Sequence, residues 1–250
     1  MKNTPWSRWQ IRLGLALIVL SVAWYYLHYL IFRDVHHIFI YLVGDIAFVF
    51  IEVLMVSLII HQLLSERERR RRLEKLNMVI GAFFSEVGFG LLRYLSDWDP
   101  HLDSVRGQLQ VSSLWSEERF EEVDGLLDKY DYKVDPQRMD PVALKDYIAE
   151  RREFLLRLLE NPNLLEHESF TNLLMAVFHM AEEMIARRDL TDLPASDREH
   201  IAGDLNRVYG QLVNSWLDYM RYLRGNYPYL FSLAVRTNPF DESATPVVTS

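Results

Sequence analysis

Two long apolar runs, one dense basic block and then a change of period organise the hydrophobic pattern of this chain. Ile11 to Phe32 and Ile38 to Leu64 are almost wholly hydrophobic. About 20 apolar residues at about 1.5 Å rise each cross a hydrocarbon core, so both runs are long enough to span one. The first begins like a signal peptide, with a basic lead and then a Leu, Val and Ala-rich stretch. Trp24-Tyr25-Tyr26 stands where small cleavage-site residues belong, and the apolar character continues to Phe32, so an uncleaved span is expected. Only Arg33-Asp-Val-His-His37 separates the runs, which predicts a tight hairpin. Ser65-Glu-Arg-Glu-Arg-Arg-Arg-Arg72 follows the second run directly and marks the cytoplasmic side of a membrane. By the same rule both termini lie inside, with Trp6 and Trp9 at the inner interface and Trp24, Tyr25, Tyr26 and Tyr29 at the outer one.

From Arg67 to Lys75 the charge pattern is compatible with a helix continuing out of the second span. Met78 to Tyr94 is apolar again, but three glycines, Glu86 and Arg93 make a poor third span. It reads as a buried core helix. Beyond it the spacing is helical throughout and no strand alternation or internal repeat occurs. Ser116 with Glu117 and Glu118 opens a helix reaching about Tyr130. Asp140-Pro141 opens another that runs to Glu160, before Asn161-Pro162. Ser169 to Arg188 is amphipathic, and Ser196-Asp-Arg-Glu199 has the spacing of a capping box for the last long helix. Gly225-Asn-Tyr-Pro228 breaks that helix. The expected fold is all-α: a two-helix transmembrane hairpin (1–64, spans about 11–32 and 38–64), a basic juxtamembrane helical linker (65–77), a cytoplasmic bundle of five or six helices (78–236) and a disordered tail (237–250).

Charge sharpens this division. Of 27 basic and 35 acidic residues, all but four and three respectively lie beyond position 63, leaving that part at net −9. Such a domain disfavours nucleic acid as a partner. Arg67, Arg69, Arg70, Arg71 and Arg72 are the local exception, a candidate surface for anionic lipid at about 1 kcal/mol per basic residue. With no cysteine, disulfides, thiol catalysis and cysteine metal sites are excluded.

The sharpest chemical feature is the pair Asp45 and Glu52 in the second span. Seven positions apart, they fall about 20° from each other around a helix. Ionisable groups at membrane depth face protein or water. Two readings stay open: a ring of carboxylates lining a cation or proton path in an oligomer, or protonated acids hydrogen-bonded to Tyr25, Tyr26 or Ser21 across the hairpin. His28, His36 and His37 with Asp34 could bind a metal or sense pH, against the commoner reading of solvated loop histidines. His179, Glu182 and Glu183 place a histidine and acids one turn apart, as di-iron bundles do, but in reversed order and without a duplicate. A polar helix edge explains them equally, and no metal or other cofactor is assigned. No phosphate loop, nucleophile elbow or His-Glu-x-x-His is present. Glu86, beside Phe83, Phe84 and Phe89, is expected to be buried and paired with Arg207 or Arg221.

Asn161-Pro-Asn-Leu-Leu-Glu-His-Glu-Ser-Phe170 and Tyr229-Leu-Phe-Ser-Leu-Ala-Val-Arg-Thr-Asn-Pro-Phe240 resemble segments of a family of uncharacterised prokaryotic two-span integral membrane proteins. The resemblance implies a bacterial or archaeal inner membrane and brings no activity to carry over. The expectation is a homo-oligomeric membrane protein, either a cation or proton channel or a signalling and scaffolding component. Its partners are the bilayer and further copies of itself, with the ligand or partner of the cytoplasmic domain left open. The alternative is a membrane-tethered, metal-dependent helical enzyme.

Overall fold

A computed structural model describes residues 8–162, 164 and 167–248, except for the side chains of residues 8, 10, 70 and 72. The N-terminal lead with Lys2 and Trp6 and the last two residues of the tail lie outside it. All regular structure among the described residues is helical, and the chain divides into two units, Met1–Arg69 and Arg70–Ser250.

In the first unit, α1 (Arg8–Phe32) and the start of α2 (Val35–Phe83) form a hairpin whose turn is only Arg33 and Asp34. Arg33 adopts φ 50°, the left-handed conformation that reverses the chain at once. The Asp34 carboxylate accepts from the His37 amide at 3.2 Å, capping the first turn of α2. Both apolar windows are 0% buried within the chain, and each helix is long and apolar enough to cross a membrane by length and composition. α2 runs unbroken through the basic stretch at 65–77, because its Glu, Arg and Leu residues are strong helix formers.

The second unit is an all-α bundle. After α2 the helix widens into a π turn at Phe84–Gly88 and resumes as α3 (Phe89–Trp98). A short α4 (Asp103–Arg106), α5 (Glu117–Leu127), α6 (Pro141–Ala149) and α7 (Arg152–Leu159) follow, then α8 (Glu168–Ala186), α9 (Ala195–Asn226) and α10 (Pro228–Arg236). The 32-residue α9 is the central element, packed against α3, α5, α8 and α10. Its Leu205, Tyr209, Leu212, Val213 and Trp216 are fully buried, spaced at three, four and seven. Phe83 meets Phe170 edge-on at 5.4 Å, which ties the π turn to α8. Ser116 caps α5 by accepting from the Arg119 amide, and Asp140 caps α6 from the Ala143 amide with Pro141 at the first helical position.

Four sequence expectations are corrected. Glu86 is exposed, not buried: the extra residue of the π turn rotates it outward, leaving Phe83, Phe84 and Val87 inside. What that turn frees is backbone. The Glu86 carbonyl accepts from Arg151 Nε at 2.7 Å and the Val87 carbonyl from the Tyr147 hydroxyl at 2.9 Å. Arg221 pairs with Glu117 (2.9 Å) and Arg207 lies 3.4 Å from Asp204. A Cβ at Gly90 would overlap the phenol of Tyr147, so this approach needs glycine.

The helix drawn from 141 to 160 bends instead into α6 and α7. Its corner is Arg151 (φ −104°, ψ −1°), whose guanidinium caps the carbonyls of Glu86 and Tyr147. The capping box at 196–199 does not form. The helix already starts at Ala195, with the Pro194 carbonyl accepting from the Asp197 and Arg198 amides, so Ser196 stands inside it. Finally, the expected disordered tail is docked at its start. Asn238 donates to the Leu109 carbonyl (2.8 Å) and accepts from the Phe240 amide (3.0 Å), while Phe240 is wholly buried against Trp216. Splitting at Arg151 and the folding of 228–236 as α10 also raise the helix count above the five or six expected.

Candidate functional site

On the first unit, the seven-residue spacing of Asp45 and Glu52 puts both on one stripe of α2. Their surroundings differ. Asp45 accepts from the Tyr25 hydroxyl of α1 at 3.2 Å, so one of the three partners weighed from sequence is the one in reach. Glu52 is exposed and makes no hydrogen bond or ion pair among the described residues. Near the turn, the His28 and His37 rings stack at 6.2 Å and His37 meets Tyr41 edge-on at 4.7 Å. Asp34 is engaged as a helix cap through the His37 amide.

Arg67, Arg69 and Arg71 are exposed within little more than one turn of α2, whereas the side chains of Arg70 and Arg72 lie outside the described residues. Their solvation on a helix leaves their donors free for an anionic surface.

His179, Glu182 and Glu183 sit together on α8 but are drawn in different directions. Glu182 pairs with Arg152 of α7 at 2.7 Å. Glu183 accepts from Arg187 at 2.7 Å, and the same guanidinium grips Asp197 of α9 through two bonds, at 2.8 and 2.9 Å. Arg187 therefore holds both carboxyls below their ordinary range, and its own pKa is raised by Asp197 first and then by Glu183. Among the described residues no group of three or more His, Asp and Glu is placed to hold a metal.

His179 instead faces a residue that the sequence reading missed. Asp204 of α9 is 8% exposed, and its Oδ2 lies 3.8 Å from His179 Nε2 and 3.7 Å from His200 Nε2. Among the described residues that oxygen accepts no hydrogen bond. The signal was an aspartate inside the apolar stripe of α9, between Ile201 and Leu205, four residues after His200. Asp99 is the other buried acid here: the Tyr130 hydroxyl donates to it at 2.7 Å, and burial, with that bond next, pushes the phenol upward.

Sequence reasoning also missed an apolar groove. The end of α2, Phe89 of α3, and residues of α9 and α10 enclose about 570 Å³ between Met78, Ala82, Phe89, Tyr222, Leu230 and Leu233. It exists because α10 turns back at Pro228 and leaves a gap beside Gly81, where Tyr219 lies against the bare Cα.

Two family models cover this arrangement: an N-terminal helical domain over residues 2–64 and a C-terminal helical domain over residues 72–236, both of uncharacterised protein MJ1433. The chain belongs to the MJ1433 family. The relative of that name from Methanocaldococcus jannaschii is 47% identical over 238 residues, covering 95% of this chain and 96% of its own length. No solved structure matches the chain. The family's division at 64–72 falls where the chain parts into its two compact units.

Proposed function

We propose that the chain is an integral membrane protein of the prokaryotic inner membrane, with both termini inside. In this reading it is a homo-oligomeric scaffolding or signalling component presenting a helical cytoplasmic domain. The observation that carries the reading is that neither apolar window has a residue buried within the chain. From Ile11 to Phe32 and along the apolar part of α2, Leu, Ile, Val and Phe face outward, as Leu17 at 58% and Phe50 at 74% do. Monomeric proteins in water do not carry contiguous apolar surface of that extent, and a bilayer covers it. The arginine block after the second apolar run supports the orientation.

Self-association is supported by Glu52. A carboxyl at this depth, with no partner in its own hairpin, costs a few kcal/mol against lipid, and a neighbouring copy relieves that cost. Asp45 is already engaged by Tyr25, which favours helix packing over conduction for that residue. The unpartnered state of Glu52 supports one second reading, a cation or proton path lined by Glu52 around an oligomer axis.

Reconstituted wild type, Glu52→Gln and Glu52→Leu separate these readings. Packing predicts that the amide retains assembly, that leucine weakens it by about 0.6 to 2 kcal/mol per lost interhelical bond, and that no variant conducts. A cation flux abolished by Glu52→Gln with assembly intact would replace scaffolding by conduction. A chain that stays soluble without detergent and is released from membranes by carbonate would end the membrane reading.

A further inference from the structure

We propose that the groove between α2, α9 and α10 takes one acyl chain of an anionic phospholipid, whose phosphate is held by Arg71 and Lys75. The proposal rests on the membrane reading above and names a ligand for the second unit. The groove's mouth is apolar and open: Met78 is 60% exposed, Leu230 51% and Leu233 43%. Large side chains elsewhere in this unit are mostly closed into the core, so this concentration on two facing helices marks a surface with a cover.

Charge decides what the cover is. A helix returns to within about 20° after seven residues, so Arg71 stands on the stripe of Met78, and Lys75 on the stripe of Ala82. Both side chains are exposed, and neither makes an ion pair or hydrogen bond among the described residues. Glu74 is the acid on that stripe, outnumbered by the two cations. Arg71 precedes Met78 by about 10 Å of helix axis. The wall is thus apolar along its body and cationic at one end, which is complementary to an amphiphile with one anionic end. A second copy of the chain docked here about a two-fold axis parallel to α2 would bring its own Arg71 and Lys75 to the same rim, like charge against like.

The test uses the full chain in non-ionic detergent, mixed with phosphatidylglycerol or phosphatidylcholine of the same acyl chains, with bound lipid counted by native mass spectrometry. Wild type should retain one phosphatidylglycerol per chain beyond the lipid shared by all variants. Ala82→Trp, an indole placed into the groove from an exposed position, should abolish that species. The double variant Arg71→Gln, Lys75→Gln should lower phosphatidylglycerol retention about tenfold and leave phosphatidylcholine unchanged. Leu230→Ser serves as a second groove variant should the tryptophan disturb folding, checked by an unchanged helical circular dichroism melt. Equal retention by wild type and both groove variants, in a chain that still partitions with membranes, would overturn the groove and spare the membrane reading. Equal retention of the two lipids by wild type would overturn the assignment to an anionic headgroup. Loss of a dimer with unchanged lipid in the groove variants would give the surface to a second copy. A wild type that dissolves without detergent and holds no lipid would overturn both proposals.

Discussion

Phe240→Ala tests the docking of the C-terminal segment, twelve residues past the proline that starts α10. Phe240 has no exposed surface and its ring lies 4.9 Å from that of Trp216, itself fully buried in α9. Truncating a fully buried phenylalanine costs about 3–5 kcal/mol. Part of that is recoverable here, because the alanine segment can leave its site and rehydrate, so the lower end applies. Asn238 then loses the bonds to the Leu109 carbonyl and the Phe240 amide that the docked segment holds. For a unit of this size about 1 kcal/mol corresponds to about 2–4 °C, so the melting temperature should fall by about 6–12 °C. Limited trypsinolysis gives the local readout. Arg236 ends α10 directly before the docked segment, and cleavage after it should be slow in wild type and fast in the variant. Equal cleavage rates after Arg236, with unchanged melting, would refute the reasoning by showing that the segment is already undocked.

Three further outcomes are expected. Arg187→Met should destabilise the chain by about 1–2 kcal/mol at neutral pH, discounted for the partial exposure of Glu183 and Asp197. Both carboxyls are held low by Arg187, so their contribution is present above the ordinary carboxylate range and lost as pH falls through their folded values. The deficit should therefore shrink below about pH 4; an equal deficit at pH 7 and pH 3 in chemical unfolding would refute the clasp. Tyr147→Phe removes the donor to the Val87 carbonyl and should cost about 1 kcal/mol by thermal melting, with no loss showing that water serves the π turn equally well. A Val35→Cys variant should label with a membrane-impermeant thiol reagent in intact cells while a tag at Ser250 stays protected, and external access at Ser250 would reverse the proposed topology.

Much of the architecture was legible because local chemistry is decisive where it acts alone. Ser116 and Asp140 cap their helices in the structure as their residue types and neighbours predict, since a cap needs only the amide three residues on. The apolar lengths of α1 and α2 are likewise a property of the chain by itself, as is the all-helical period of the rest. What the sequence could not show were the places where a distant group outbids the local signal. Ser196 has a capping box's spacing, but the helix starts earlier and the Pro194 carbonyl takes the Asp197 and Arg198 amides. The 141–160 stretch has an unbroken apolar period, yet Arg151 turns to a carbonyl 65 residues away and the helix bends there. Glu86 has an aromatic neighbourhood in sequence, and one extra residue in a turn puts it in solvent. Phe240 follows a polar, proline-bearing stretch that reads as tail, and the ring of Trp216 in α9 receives it edge-on. The candidate sites divide the same way. The Asp45–Glu52 stripe follows from period alone, whereas Asp204 between two histidines and the groove beside Gly81 exist only where separate helices meet. The physical reason is common to all of them. A hydrogen bond or cavity between elements depends on where other helices lie, and local sequence carries no record of that.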